Sequence, residues 1–590
     1  MSTNHQWDLT CIYGSLNDPK LETDLKDFET QCAQFFASYS QNTNYRTDAN
    51  ALEKILLSYE KLLDSDTGFR PLMYLYYILA LDALDSQAQS MLVRITQRIT
   101  EASNKLVFFT LELGKIEPTF QTQFLSNQHL TKYHYFLERK FLTSKYDLLE
   151  EQEKILRLLS QPSYSLWTQG VEKALSSRSV SHEGKDIPLS EAQNIVSKLP
   201  TRQRRHLHHQ IMQKCGEVIE FAESELNAIL ATKRIEDELR GYKAPYQERV
   251  LSGENDEATI ERMIEIVTSH FHLAHQFYRL KAKMLKLTKL RYADRNADVG
   301  NITKTFSYDE AMSILKTCFG NLDPEFSQIL ERMATKGQID VYPRKGKQGG
   351  AFCSSGKSTP TLVLLNYVDT FDSVRTFAHE MGHAIHSELS KTQPVLYQDY
   401  SLSTAETAST FFQNVVFDRL MDELKTPEEK IVALHDKIAD DVNTIFRQIA
   451  VFNFELELHK KAKVEGFIAK EKIGELLNAH MQSYLGPLVD LTPEDGNFFV
   501  VWPHLRNFFY VYTYAFGQLV SKALYAKVKE DKQFVEKVRQ FLLAGGSDTP
   551  EHIFQAIGID VTDPAFFKAG LDSIQQDINT LEGMLKTTEL

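Results

Sequence analysis

Val374-Arg-Thr-Phe-Ala-His379-Glu-Met-Gly-His383-Ala-Ile-His386-Ser-Glu-Leu389 is the stretch from which the rest of this chain is read. Residues four apart lie on one face of a helix, so His379 and His383 can present both imidazoles to one metal ion. Glu380, beside the first of them, can reach a water bound to that metal. This is the H-E-x-x-H spacing of zinc hydrolases, in which the glutamate is the general base. The chemistry needs a helix, and the sequence supports one. Asp369, Thr370, Asp372 and Ser373 crowd its start as N-caps do, and Val374, Phe377, Met381, Ile385 and Leu389 give it an apolar side.

A catalytic zinc takes three protein ligands and keeps one position open for water or substrate. Ser403-Thr-Ala-Glu406 opens a second helical pattern through Phe411, Val415 and Leu420, long enough after His383 for a loop and a return. Glu406 is therefore the candidate third ligand. The same four residues also spell a capping box, in which Glu406 would only bind the Ser403 backbone amide. His386 is a rival ligand, but it lies two turns from His379, roughly 10 Å along the axis. It reads as a residue packed behind the ligands or lining the pocket. The other histidine groups, His206/His208/His209 and His270/His272/His275, lack acidic or thiol ligands at useful spacing and read as helix faces.

The wider chain sets the frame. It has 590 residues, 42% hydrophobic and 25% charged, which is ordinary for a globular protein and long for one core. The formal charge of -13 argues against a general nucleic-acid binder. The start, Met1-Ser-Thr-Asn-His-Gln-Trp-Asp, is polar and does not read as a secretory signal. The apolar run Leu72–Leu81 is closed by Asp82 and is too short for a membrane span. Cys11, Cys32, Cys215, Cys318 and Cys353 are scattered, without C-x-x-C spacing, which suits a reduced, cytoplasmic protein.

Glycine and proline are sparse, and helical patterns dominate. The polar interval Ser176–Ser190 reads as a loop or boundary, giving an N-terminal helical domain over 1–185 and a catalytic domain over 186–590. Between Arg291 and Tyr367 the pattern changes. Ile339–Tyr342 and Thr361–Tyr367 are strand-like, so a small sheet is expected inside a helical protein. The loop Lys345–Gly350 reads as flexible. Gly349, Gly350, Ala351 and Phe352 are candidates for contact with an extended peptide by β-addition.

Amide hydrolysis also needs a donor for the oxyanion and a proton for the leaving amine. Trp502-Pro-His-Leu-Arg-Asn-Phe-Phe-Tyr-Val-Tyr-Thr-Tyr514 supplies candidates. Read as one helix started by Pro503, it puts His504, Asn507, Val511 and Tyr514 on one stripe with Tyr510 at its edge. The alternative for this stripe is an aromatic packing face.

Taken together, these segments resemble oligoendopeptidase F, within the thimet-oligopeptidase-like zinc peptidases. The resemblance rests on His379–His386, Ala405-Glu-Thr-Ala-Ser-Thr-Phe411, Gly346–Ala351 with Leu364-Leu-Asn366, and Pro503–Tyr514. Trp7-Asp-Leu9 and Leu189-Ser-Glu-Ala192 also fit. It implies a mostly α-helical, ellipsoidal, neurolysin-like fold with a small β-sheet near the active site and a deep central channel admitting short peptides. It also implies one Zn2+ per chain held by His379, His383 and Glu406. Glu380 would be the base, His504 and Tyr514 the oxyanion donors, and Tyr510 would line the site. Two departures stand out: Gln413, where the resemblance leads one to expect glutamate behind the ligands, and Asn507, where it leads one to expect tyrosine.

The reading is a metalloendopeptidase acting on oligopeptides, without nucleic-acid or membrane partners, as a monomer or small homo-oligomer. Two alternatives remain: a metallocarboxypeptidase, and a degenerate protein that binds peptides without cutting them.

Overall fold

In the computed structural model, which describes residues 5–588, the motif helix runs Phe371–Ser390. The reading of the first residues as lacking a signal falls partly on residues 1–4, outside the described ones. Thr370 caps the helix, its hydroxyl accepting from the Ser373 N–H at 3.2 Å. Val374, Phe377, Ala378, Met381, Ala384 and Ile385 are completely buried, so the helix is held by a continuous apolar stripe, with His379 and His383 half-buried.

The chain divides into two units, each assembled from three stretches. The first comprises Met1–Asp147, Lys304–Leu420 and Tyr525–Gly558; the second comprises Leu148–Thr303, Met421–Leu524 and Ile559–Leu590. Both are mostly helical. The boundary expected at 185/186 falls inside a hairpin of the second unit, where Ser179–His182 pairs antiparallel with Lys185–Pro188. Glu183 and Gly184 turn that hairpin with φ of 51° and 77°, a left-handed pair matched to the strand twist.

In the first unit, the small sheet sits against the motif helix. Leu362–Leu364 is its middle strand, parallel to Ile339–Asp340 and antiparallel to Phe352–Ser354, which forms an edge. Its apolar face joins a core with Trp7, Tyr74, Leu75 and Tyr77 from the N-terminal segment and helices. Trp7 fixes that junction: its indole N–H donates to the Val363 carbonyl at 2.8 Å, and its ring meets Tyr77 and Phe352 edge-on.

The loop before the edge strand is held in place, contrary to the flexibility its glycines suggest. The ammonium group of Lys347 donates to the Asp340 carboxylate at 2.6 Å, to the Tyr342 carbonyl at 2.8 Å and to the Leu365 carbonyl. Asn366 donates to the carbonyls of Gln348 and Gly350 at 2.9 and 2.7 Å. The Gln348 N–H is bound to the Ala80 carbonyl. Among the described residues, no helix is long and apolar enough to cross a membrane.

Candidate active site

The second helix of the metal site spans Leu402–Glu423. Ser403 lies inside it and Glu406 a turn further on, so Glu406 is not capping Ser403 in the box the sequence allowed. Its carboxylate instead faces the motif helix, with Oε2 3.6 Å from His379 Nε2 and Oε1 3.9 Å from His383 Nε2. One donor atom from each of the three residues lies within 4.8 Å of the other two. Among the described residues this is the one cluster of His, Cys, Asp or Glu so arranged.

Gly382 sets the approach of the two helices. A Cβ at this position would stand 2.7 Å from Ser409 Cα and 3.1 Å from the carbonyl oxygens of Ala408 and Ser409. These are backbone atoms of the second helix, so only a residue without a side chain lets the helices come this close.

Around the three donors, neighbouring groups fix tautomer and orientation. His379 Nδ1 lies 3.0 Å from Gln413 Oε1. Since that oxygen only accepts, Nδ1 donates to it, and Nε2 faces Glu406. The Ser409 hydroxyl donates to Glu406 Oε2 at 3.2 Å. Two imidazole nitrogens and one carboxylate, the first fixed in its tautomer, fit a tetrahedral divalent ion with a fourth position open.

Glu380 points into the interior, 7% exposed. Burial pushes its carboxyl up to about 8; the Glu406 charge adds to this, and the N–H of Cys353 on the edge strand works the other way. A nearby cation would act in the same direction as that N–H. His386 is not among the donors. It is fully buried, stacked on Tyr400 with centroids 3.7 Å apart, and burial depresses its imidazole to about 3. Both of its ring nitrogens lack hydrogen-bond partners among the described residues, so it works as a flat packing element. Gly349 and Gly350 are exposed beside the edge strand.

The candidate oxyanion donors His504 and Tyr514, with Tyr510, belong to the second unit. The helix expected to run on from Pro503 is broken: a 3₁₀ turn spans Pro503–Arg506, and the helix proper starts at Tyr512. Phe508 and Phe509 between them have φ of 37° and 57°, which no run of apolar residues signals. The break, not a helical stripe, groups the polar residues. Tyr510 Oη lies 3.1 Å from His504 Nδ1 and 3.1 Å from Tyr514 Oη. Burial, then the Arg447 charge, keeps the His504 imidazole below its ordinary value. Burial and the Tyr514 hydroxyl raise the Tyr510 phenol. Asn507 sits exposed in the break, off the stripe on which helical spacing had placed it. The remaining histidine groups are spoken for locally: His208 meets Asp495 at 2.8 Å and His275 meets the Ser483 carbonyl at 2.8 Å.

The model of peptidase family M3 matches residues 198–573, which include all the residues above from His379 to Tyr514. The chain belongs to peptidase family M3. Group B oligopeptidase PepB of Streptococcus agalactiae is 26% identical over 98% of this chain and 97% of that relative. Oligopeptidase PepF of Bacillus subtilis is 24% identical over 82% of this chain and 74% of its own length. Among solved structures, one from Chlamydophila abortus superposes with a TM-score of 0.85 at 22% identity, covering 99% of both chains. Oligoendopeptidase-F from Enterococcus faecium gives 0.70 at 17% identity, covering 96% of this chain and 100% of that one. At these identities the structures establish the fold: this M3 peptidase has the architecture of oligoendopeptidase F. As a member of the family it is a metallopeptidase.

Proposed function

We propose that this M3 peptidase is a zinc-dependent endopeptidase that hydrolyses internal bonds of short peptides. The observation that carries the reading is the His379–His383–Glu406 donor set, within 4.8 Å, with the buried carboxyl of Glu380 next to its first ligand. His379, His383 and Glu406 would hold one ion, a Lewis acid that polarises the scissile carbonyl and makes a water acidic when bound. Glu380 takes the proton of the attacking water and passes it to the departing amine. Its burial supports both steps, because a poorly solvated carboxylate is the stronger base.

His504 and Tyr514 donate to the oxyanion of the tetrahedral intermediate, with Tyr510 lining the same site. The edge strand from Phe352, with Gly349, Gly350 and Ala351 before it, pairs with the peptide backbone. PepB, of matching length, and the longer PepF both carry the name oligopeptidase, which supports short peptides as substrates. Five free cysteines support a reducing, cytoplasmic setting.

The test is a peptide blocked at both ends, read by mass spectrometry. The zinc-loaded enzyme should cut it internally, and Glu380→Gln should not. Cleavage that vanishes when the C-terminus is blocked would make the protein a carboxypeptidase instead.

A further inference from the structure

The segment Asn507–Val511 is an arm with an unusual conformation and two unusual anchors. It begins at a fixed post: Arg506 binds Glu225 through Nε and Nη2 at 2.9 and 2.5 Å, and the carbonyls of Phe499 and Trp502 through Nη1 at 2.7 and 3.0 Å. It ends at the helix that starts with Tyr512. Between them, two successive phenylalanines hold left-handed φ of 37° and 57°. A residue with a side chain adopts that region only when its surroundings impose it, and two in a row need more than one restraint.

The restraints come from two directions. Arg249 donates to the carbonyls of Asn507 and Phe508, at 2.8 and 3.2 Å. From the opposite end of the Phe508–Phe509 peptide group, the Phe509 N–H donates to Glu455 Oε1 at 3.1 Å. The Phe509 ring is fully buried among Phe452, Tyr246 and His459.

Glu455 is 2% exposed, and its other carboxyl oxygen has no hydrogen-bond partner among the described residues. Burial pushes its carboxyl up to about 8, with the Phe509 N–H and the Arg249 charge working the other way. Burying a carboxyl with one partner is costly, and the fold places it where that partner is the left-handed Phe509. The next residue is Tyr510, whose hydroxyl bridges His504 and Tyr514.

We propose that Glu455 and Arg249 are positioning residues: together they hold the Phe508–Phe509 arm in its left-handed conformation and so fix the Tyr510 hydroxyl between His504 and Tyr514. Its catalytic consequence rests on the roles given to His504 and the tyrosines above; the mechanical claim does not. The grip on Phe509 is a single hydrogen bond accepted by one oxygen of Glu455, and an amide oxygen can accept the same bond. A glutamine should therefore replace Glu455 and an alanine should not.

The experiment uses the full-length, zinc-loaded enzyme at pH 7, with two readouts. Amide hydrogen exchange over Asn507–Val511, read by mass spectrometry, reports the arm; kcat and KM on a blocked peptide report the chemistry. Glu455→Ala should speed exchange there about tenfold or more and lower kcat about 10–100-fold with KM little changed, since the loss is of alignment. Glu455→Gln should restore both. Arg249→Ala, on the exposed side of the arm, should move both in the same direction as Glu455→Ala, and it carries the test if that variant does not fold. Unchanged exchange in both alanine variants, or a glutamine variant as loose as the alanine one, would overturn the proposal. Tyr510→Phe is measured alongside. If its kcat is unchanged while Glu455→Ala loosens the arm, the clamp stands and the catalytic role of the tyrosines falls.

Discussion

Gly382→Ala is the most informative small change to the metal site. The added Cβ would sit 2.7 Å from Ser409 Cα, whereas carbon atoms make ordinary contact from about 3.5 Å. The shortfall is close to 0.8 Å, and the atoms met are backbone, so the Leu402–Glu423 helix has to move as a body. Glu406 lies one turn before Ser409 and travels with it. Its oxygens now stand 3.6 and 3.9 Å from the two histidine nitrogens, and a zinc site tolerates ligand errors of only about 0.2 Å. Zinc affinity should fall about 10–100-fold, or roughly 1.4–2.8 kcal/mol.

Overpacking should also cost about 1–3 kcal/mol of stability. The helix propensity gained by replacing glycine, about 1 kcal/mol, offsets part of that but does nothing for affinity. The deciding assay is therefore competition for zinc against a chromogenic chelator, with thermal melts of the metal-free proteins beside it. Binding within twofold of wild type would refute the idea that this glycine sets the spacing of the ligands.

Four further outcomes follow from the same geometry. Glu380→Gln should lower kcat by at least about 10²–10⁴-fold, the range expected for a lost general base, with zinc content per chain unchanged by elemental analysis. Gln413→Glu should tighten zinc binding about tenfold or more in the chelator assay, because a carboxylate behind His379 raises the basicity of the ligand. Tyr514→Phe should lower kcat about 10²-fold with KM little changed, the signature of a donor used in the transition state. Lys347→Met should lower stability by about 3 kcal/mol in denaturant titrations, since it leaves the buried Asp340 carboxylate with one cation fewer.

The parts of the site legible in the sequence were those written in local spacing. His379 and His383 follow from helical periodicity alone, and the helix carrying Glu406 follows from its apolar pattern, although spacing could not tell a ligand from a cap. What escaped were the features made by backbone meeting backbone across long separations. The N–H of Cys353 reaches Glu380 only because the edge strand pairs with Leu362–Leu364, and nothing in the residue types announces it. The loop before that strand reads as flexible from its glycines, yet Lys347 ties it to the Asp340 carboxylate and to the carbonyls of Tyr342 and Leu365. The Pro503–Tyr514 region looked helical because its residues are good core material. Helical spacing and the observed break both bring His504 near Tyr514, for different reasons, and the break removes Asn507 from the group. The left-handed phenylalanines have no signature, because the buried Glu455 that holds Phe509 lies on another helix.

The central claim is that the His379–His383–Glu406 set holds the zinc on which peptide cleavage depends. The direct measurement is cleavage of a doubly blocked peptide by one preparation, assayed as isolated, after removal of metal, and after zinc is returned. One zinc per chain should be found, activity should disappear with the metal, and one equivalent of zinc should restore it. Peptide cleavage undiminished in a preparation shown to contain no metal would contradict the account.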